Sequence, residues 1–522
     1  MRFKKLAAVL LAASIITGVF VSCGGAKESG EKTGVTQENK NTLVYASSDY
    51  TSINPVLFEH GEINTLIFDG LTEHDKDNKI TPGLAEKWEW NEKDKTYRFH
   101  LRKDVKWHDG EKFDANDVKF TIQAIKDPKN SSEIASNYDE IKEVKIIDDY
   151  TVDIILSEPN VAILDYLTVG IVPEHILKDK NMIESEFNKM PIGTGPYKLE
   201  KWDVGQSITL VENKEYFKVD PNIEKIVFKI VDDSKAKVMQ LKSGEVDLAQ
   251  VTPKDIELFK GDEKFQTLEL STADYRGILY NFGGGFFKDN KDLANALSYA
   301  IDRKGILDSV LLGKGEVAYS PIQRGDYNNP KMNKLEYDPG KAKEEIEKLG
   351  WKMGSDKIYE KDGKKLEFEI VCPQGDQVRI DMANICAQNL KAIGVNAKVS
   401  VKAEIDWDNQ DTYLIGWGSP FDPDDHTYKV FGTDQNSNYS GYSNKEVDRI
   451  LKEARNTEDD NKRKELYKEF QEAISKDMPY TFIAYLDAIF VGDSNIKGIS
   501  KDTVLGHHGA GLLWNVEEWT IE

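Results

Sequence analysis

The clearest structural pattern in the chain is the run Tyr97-Arg98-Phe99-His100-Leu101-Arg102-Lys103-Asp104-Val105-Lys106-Trp107-His108-Asp109-Gly110, followed by Phe113-Asp114-Ala115-Asn116-Asp117-Val118-Lys119-Phe120. Asp109-Gly110 is typical of a tight turn between strands. Asp114 is suited to cap a helix N-terminus, because its carboxylate accepts hydrogen bonds from backbone amides that lack a partner there. The two runs therefore predict strands, a tight turn and a capped helix, with a structural role rather than contact with a ligand.

Outside these runs, strand-like and helix-like segments alternate along the chain. Residues 42–46 are rich in strand formers, and residues 366–370 alternate apolar and acidic side chains with a period of two. Helices are predicted over 376–393 and 461–478, and after Ser443-Asn444-Lys445-Glu446, which resembles a capping box. Strands that alternate with amphipathic helices indicate an α/β fold.

The composition excludes several classes of protein. The 522 residues carry a formal charge of −22, which repels nucleic acid, so we expect no nucleic-acid partner. Cys23, Cys372 and Cys386 are too few for a disulfide scaffold, and no Cys-x-x-Cys is present to bind a structural zinc. Cys372 and Cys386 have no histidine nearby in sequence, and we expect them to be buried apolar side chains.

Motifs of catalysis are also missing from the sequence. It contains no Gly-x-Ser-x-Gly and no His-Glu-x-x-His, and Glu59-His60-Gly61-Glu62 lacks the second histidine of the latter. A triad whose members are scattered along the chain would leave no such local pattern. We therefore expect no enzyme, and an exported hydrolase remains a remote alternative.

The first residues predict export. Met1-Arg2-Phe3-Lys4-Lys5 is basic, and the apolar run over 6–21 is shorter than a membrane-spanning helix needs but long enough for a signal peptide. The run ends at Phe20-Val21-Ser22-Cys23-Gly24, where a small residue precedes a cysteine as in the bacterial lipobox, although Phe20 stands where that pattern usually has Leu. We expect a lipoprotein signal peptide over 1–22 and a lipid on Cys23.

The segment after the cysteine is polar and has no aromatic residue, so residues 23–40 are predicted to be a flexible tether. The predicted location is the outer face of the cytoplasmic membrane, on the cell surface or the periplasmic side. The lipid on Cys23 would be the only attachment to the membrane.

Several motifs together resemble one known family. Ile80-Thr81-Pro82-Gly83-Leu84-Ala85-Glu86-Lys87-Trp88 precedes the two runs quoted above, and Gly193-Thr194-Gly195-Pro196-Tyr197, Ala300-Ile301-Asp302-Arg303 and Tyr337-Asp338-Pro339 follow them. In this order they resemble the family 5 extracellular solute-binding proteins, which are peptide and nickel receptors of ABC importers. The resemblance covers about 41–522.

This resemblance implies a two-lobed α/β fold, periplasmic-binding-protein-like (type II, cluster C-like), with an extra subdomain in the large lobe. It implies the following boundaries: large lobe, 41–83; extra subdomain, 84–194; large lobe again, 195–283; second lobe, 284–485; and the C-terminal part of the large lobe, 486–522. The implied function is capture of short peptides, oligopeptides or dipeptides, in the cleft between the lobes for an ABC importer. The implied partners are the permease and ATPase subunits, and we expect a monomer.

Peptide receptors of this family place a carboxylate shortly after a tryptophan, where it pairs with the α-ammonium of the ligand. Here Trp417 is followed by Gly418-Ser419-Pro420, so that the position three residues on is not acidic. The candidates become Asp422, Asp424 and Asp425, with Tyr428 as an aromatic neighbour.

A second candidate segment is Tyr280-Asn281-Phe282-Gly283-Gly284-Gly285. Its glycines adopt backbone angles that other residues resist. The segment therefore suits a crossing between the lobes or a backbone contact to the ligand, and Tyr280 and Asn281 are candidate binding residues.

The segment after Trp417 is also similar to the nickel-receptor branch of the family, which leaves a nickel or nickel-chelate ligand as the alternative. A metal site of this kind needs imidazole, and the candidates are His60, His426, His507 and His508. Nickel would then be the transported ligand, and we expect no resident cofactor.

Overall fold

The computed structural model describes residues 41–57 and 61–522. The predicted signal peptide, Cys23, the tether and His60 lie outside the described residues. Within the described ranges, no helix is both long and apolar enough to cross a membrane.

The described residues form short strands and a few long ones: β1 Thr42–Ser47, β2 Thr72–His74, β3 Ile80–Pro82, β4 Ala85–Asn91, β5 Thr96–Leu101, β6 Ile141–Asp148, β7 Thr151–Leu156, β8 Tyr197–Asp203, β9 Ser207–Glu212, β10 Lys225–Ile230, β11 Leu248–Gln250, β12 Phe265–Tyr280, β13 Gly315–Val317, β14 Lys352–Met353, β15 Tyr359–Lys361, β16 Lys364–Lys365, β17 Glu367–Pro373, β18 Asn396–Lys402, β19 Thr412–Trp417, β20 Tyr480–Asp493, β21 Ile496–Lys497 and β22 Thr520–Ile521.

The α-helices are interspersed among these strands: α1 Asn64–Ile67, α2 Ala115–Lys126, α3 Ile163–Tyr166, α4 Glu174–Leu177, α5 Ser234–Ser243, α6 Leu293–Ser298, α7 Arg303–Ser309, α8 Pro339–Lys348, α9 Gln377–Ala392, α10 Asp424–Phe431, α11 Lys445–Arg455 and α12 Asp460–Asp477. The chain is therefore of the mixed α/β class.

One mixed sheet of eleven strands runs through the body, in the order β18-β17-β19-β12-β20-β11-β1-β10-β9-β8, with β13 beside β20. The long strands β12 and β20 are antiparallel neighbours at its centre. Their register shifts between Ser271 and Tyr275, where the strands pass from one half of the molecule to the other.

Buried apolar side chains on the two sides of this shift belong to different cores. Leu268, Leu270 and Ala488 belong to the core that contains β1 and the N-terminal elements. Tyr275 and Tyr485 belong to the core that contains α6 to α12. The change of core therefore falls inside β12 and β20, whereas residues 280–285 lie wholly within the second core.

The large half carries a separate antiparallel sheet with the strand order β4-β5-β7-β6, flanked by α2. The tight turn expected at Asp109-Gly110 is present, since the Gly110 amide donates to the Trp107 carbonyl at 2.8 Å and Gly110 has a φ of 93°. Asp114 caps α2 by accepting from the Asn116 amide at 2.7 Å, and Asp117 accepts from the Asp114 amide at 3.0 Å. The cap and the turn are both confirmed, but the turn is flanked by a single β-bridge, Lys106 with Lys112, and not by strands.

Local patterns elsewhere also predicted their elements. In β17, Phe368 and Ile370 are buried and Glu367 and Glu369 are exposed, as the alternation predicts. The N-cap of α11 is Asn444, which accepts from the Glu446 and Val447 amides, and not Ser443 as the capping-box pattern suggested. Cys372 and Cys386 are buried free thiols, as expected for apolar packing.

Candidate functional site

A short C-terminal turn, His507–Gly509, lies against the strand that joins the two cores. The backbone of Leu505 bonds to that of β12 in both directions: the Ala273 amide donates to the Leu505 carbonyl at 2.8 Å, and the Leu505 amide donates to the Ser271 carbonyl at 2.9 Å. This pairing fixes the turn beside Asp274.

Asp274 organises the two histidines of the turn. Its Oδ1 lies 2.8 Å from Nδ1 of His507, and its Oδ2 accepts from the His508 amide at 3.0 Å. The backbone of His508 is left-handed, with a φ of 57°, a conformation that favours glycine. His507 is partly buried and His508 is more exposed, while burial and the neighbouring His507 lower the pKa of His508 to about 3.

A row of aromatic rings leads from the second core to this turn. Trp407 and Tyr439 are stacked with ring centroids 4.2 Å apart, Tyr439 and Trp417 are 6.3 Å apart, and Trp417 and His507 are 6.4 Å apart. The rings of His507 and His508 follow at 3.9 Å. Trp417 is half-buried, and in the sheet it pairs with Tyr275, near the point where β12 changes core.

Close backbone approach explains why glycine follows Trp417. A Cβ atom on Gly418 would lie 1.9 Å from the Ala273 carbonyl oxygen, so a larger residue would push the two segments apart. The neighbouring Pro420 lies near the C-terminal turn, 3.7 Å from the place of a Cβ on Gly506. Three distant segments therefore meet at one point.

Two buried arginines, Arg276 and Arg379, lie close to the junction. Arg276 bonds to Asp274 and to the Tyr275 carbonyl, while its buried Nε–H has no hydrogen-bond partner among the described residues. Arg379, at the start of α9, pairs with Asp376 at 3.0 Å. Burial lowers the pKa of His507, and the positive charges of Arg276 and Arg379 lower it further against the pull of Asp274. The junction therefore holds two arginines, each paired with an aspartate, and the lowered pKa favours the neutral form of His507.

The first two predicted carboxylates lie elsewhere, inside ion pairs with arginine. Asp424 is paired with Arg455, whose Nη2 lies 2.7 Å from Oδ2. Asp422 is paired with Arg463, whose Nη2 donates to Oδ1 at 2.6 Å. A ligand ammonium would have to displace a buried guanidinium at either place, so a role for these carboxylates as its anchor stays a prediction without support from their contacts.

The remaining residues of that segment are also engaged within the protein. Asp425 pairs with Lys429 at 3.1 Å, and Tyr428 lies under the guanidinium of Arg455, 3.5 Å from the ring centroid. His426 is buried, with its Nε2 3.1 Å from the Pro321 carbonyl oxygen. Burial lowers the pKa of His426, which favours its neutral form.

Tyr280 and Asn281 have local partners as well. The Tyr280 hydroxyl lies 2.8 Å from Oγ1 of Thr481 in the second core. The Asn281 amide group donates to the carbonyls of Trp407, Asp408 and Gln410 and accepts from two glycine amides. Asn281 thus uses its hydrogen-bonding groups to hold its own loop together.

Of the predicted residues, the structure brings together Trp417, His507 and His508. Asp274, Arg276 and Arg379 join them and were missed by the sequence reasoning. A usable signal was present for Asp274 and Arg276, because these two charges come directly before the apolar run at 278–280 and require partners when buried. Among residues 41–57 and 61–522, no group of three or more His, Cys, Asp or Glu side chains is arranged to hold a metal ion.

Comparison with known proteins identifies a matching family and full-length relatives. Residues 79–439 match the family described as bacterial extracellular solute-binding proteins, family 5 middle. The chain is 30% identical to the oligopeptide-binding protein AppA of Bacillus subtilis over the whole of both chains. It is 29% identical to the dipeptide-binding protein of Escherichia coli, over 90% of this chain and 93% of the relative.

Solved structures agree with these matches. NikZ from Campylobacter jejuni, in complex with Ni(L-His), is 39% identical, with a TM-score of 0.88 over 92% of this chain and 100% of that one. AppA from Bacillus subtilis, in complex with a nonapeptide, is 30% identical, with a TM-score of 0.83 over 92% of this chain and 99% of that one.

The matched residues cover more than half of the chain, and the relatives share its length. The two-lobed α/β fold predicted from the sequence motifs is confirmed by these solved structures. The chain belongs to family 5 of the bacterial extracellular solute-binding proteins.

Proposed function

We propose that this protein captures a small solute between its two lobes and delivers it to the permease and ATPase subunits of an ABC importer. The observation that carries the proposal is the meeting of Asp274, Trp417 and His507 at the junction of the two cores. A solute bound there contacts both lobes, so it favours the closed over the open arrangement.

We propose that the lobes pivot at 271–275 and 485–488, since β12 and β20 pass from one core to the other there. This moves the proposed start of the second lobe from residue 284 to about residue 275. Opening would separate the C-terminal turn of the large lobe from Trp417, and closure around a solute would restore the contact between them.

Short peptides are the first candidate ligand. The full-length similarity to an oligopeptide-binding protein supports this choice, as does the similarity to a dipeptide-binding protein. The unpartnered Nε–H of Arg276 and the nearby Arg379 suit a ligand carboxylate, because charge-assisted hydrogen bonds in a dry cleft are strong. Trp417 and Tyr439 supply apolar area for side chains without selecting one sequence.

A nickel–histidine chelate is the second candidate, favoured by one specific observation. Two imidazoles lie side by side at His507 and His508, and imidazole suits nickel. A chelate brings most of its own donor atoms, so it needs only one or two ligands from the protein, together with cations for its carboxylates. The 39% identity to a structure that contains Ni(L-His) supports this candidate.

Native mass spectrometry of protein purified without a polyhistidine tag or a metal column would discriminate between the candidates. Adducts at peptide masses would support peptide capture and give the ligand length. An adduct of nickel with histidine would support the chelate. Protein freed of its bound solute is then titrated with peptides of two to nine residues and with nickel plus L-histidine. Absence of binding in every titration would refute both candidates.

We also propose that Cys23 carries the lipid that tethers the protein. Metabolic labelling with a fatty acid should mark the wild-type chain and leave Cys23→Ala unlabelled. Label that persists in the variant would refute this anchor.

A further inference from the structure

A second buried polar network joins the two halves of the molecule. It shares no residue with the Asp274 site. The Tyr166 hydroxyl donates to Oδ2 of Asp424 at 2.6 Å. Nη1 of Arg455 donates to Oε1 of Glu140 at 2.9 Å, and the Val161 amide donates to the Arg455 carbonyl at 3.0 Å. Arg455 and Asp424 are themselves paired through two guanidinium nitrogens.

The members of this network come from different cores. Tyr166 lies in α3, and Glu140 directly precedes β6, both in the half that contains the β4–β7 sheet. Asp424 begins α10 and Arg455 ends α11, both in the second core. The three bonds from Tyr166, Glu140 and Val161 therefore span the seam between the two halves.

Other contacts lie along the same seam. The Trp90 indole donates to Oε1 of Glu458 at 2.6 Å. His74 and Phe421 are stacked with ring centroids 3.7 Å apart and planes 5° apart. The network is thus one of several contacts between the large half and the second half.

We propose that Arg455, Asp424, Tyr166 and Glu140 form an interlobe latch, which sets how readily the two halves separate whether or not a solute is bound. Arg455 is the positioning residue of this latch, since its guanidinium holds Asp424 toward Tyr166 and reaches Glu140 itself.

The division of the charges explains how such a latch can open. Removing one member of a buried ion pair leaves a costly isolated charge. Here the strongest pair, Arg455 with Asp424, lies within one half and stays intact when the halves part. Opening breaks the bonds to Tyr166 and Val161 and separates Arg455 from Glu140, and water reaches the groups that lose these partners. The latch is therefore reversible, because Arg455 keeps Asp424 as its counter-charge after it leaves Glu140.

This inference goes beyond solute capture, because it concerns the unliganded protein and does not depend on the ligand. Its test needs no ligand. Amide hydrogen exchange at Val161 reports directly on the seam, and small-angle X-ray scattering reports the radius of gyration. Both are measured on ligand-free wild-type protein and on Tyr166→Phe, Glu140→Gln and Arg455→Met.

Tyr442→Phe is a matched control, because the buried Tyr442 hydroxyl also donates to an aspartate, Asp477 at 2.9 Å, and both residues belong to the second half. We expect exchange at Val161 to become about tenfold faster in Tyr166→Phe and Glu140→Gln, with a larger radius of gyration, and to stay unchanged in the control. Arg455→Met should show the largest effect.

Two outcomes overturn the proposal. One is an unchanged Val161 rate and radius in both Tyr166→Phe and Glu140→Gln. The other is faster exchange of equal size throughout both cores, which indicates a general loss of stability instead of opening at the seam. If Arg455→Met does not fold, the two milder variants still decide the question.

Discussion

Arg455 neutralises Asp424 in a bidentate ion pair, with Nε 3.1 Å from Oδ1 and Nη2 2.7 Å from Oδ2. The side chains are 5% and 0% exposed. The carboxylate that the sequence offers to a ligand ammonium is thus already bound by a cation of the protein, and its removal should act first on the fold.

Asp424→Asn should lower the free energy of unfolding by about 3 kcal/mol, because it leaves the buried Arg455 guanidinium with Glu140 as its remaining acidic partner. Urea denaturation measures the change. Asp308→Asn is the control, since its ion pair with Lys304 is exposed, at 54% and 74%, and the loss should be within ~1 kcal/mol. An Asp424→Asn protein of normal stability that fails only in peptide binding would restore the ammonium-anchor interpretation.

His508→Ala should weaken binding of nickel with L-histidine at least tenfold and leave the melting temperature within a few degrees of wild type, because the imidazole is exposed and its backbone amide bond to Asp274 is kept. Isothermal titration measures the affinity. His175→Ala is the control, since this histidine also pairs with an aspartate, Asp109 at 2.9 Å, but belongs to the β4–β7 subdomain. Retained nickel–histidine affinity in His508→Ala would remove this imidazole from the ligand set.

Arg379 is expected to read a ligand carboxylate. Wild-type protein should bind nickel with L-histidine about ten- to a hundredfold more tightly than nickel with L-histidinamide, the worth of a hydrogen bond between charged groups. In Arg379→Met this preference should shrink to a few-fold. Equal affinity for acid and amide in the wild type would show that no arginine of the junction recognises a carboxylate.

The elements that could be predicted from the sequence are those with local signals. Asp114 caps α2 through amides two and three residues away, and the alternation in β17 needs only neighbouring residues to be seen. Even a one-residue ambiguity has a local cause: Ser443 and Asn444 are both good caps, and the side chain of Asn444 is the one that reaches the free amides.

The site depends on partners that the sequence places far apart. Asp274 and His507 are separated by 233 positions, and nothing near His507 indicates which carboxylate orients it. The same holds for the acidic segment after Trp417: Asp424 takes its partner 31 residues on and Asp422 takes its partner 41 residues on. The sequence therefore indicates aspartates that are available to a ligand, whereas in the folded chain Asp424 and Asp422 are already paired with arginines.

Glu517 should make stability depend on pH. Burial, reinforced by Glu518 and Asp69, raises its pKa to about 7. Between pH 4.5 and 7 the folded chain keeps a proton that the unfolded chain releases, so the free energy of unfolding falls as pH rises through this window, by about 2 kcal/mol for this partly buried group. Glu517→Gln should remove that part of the fall, measured as urea midpoints at pH 5 and pH 8. Glu518→Gln, at the exposed neighbour, should follow the wild type. Parallel pH profiles for wild type and Glu517→Gln would contradict the assignment.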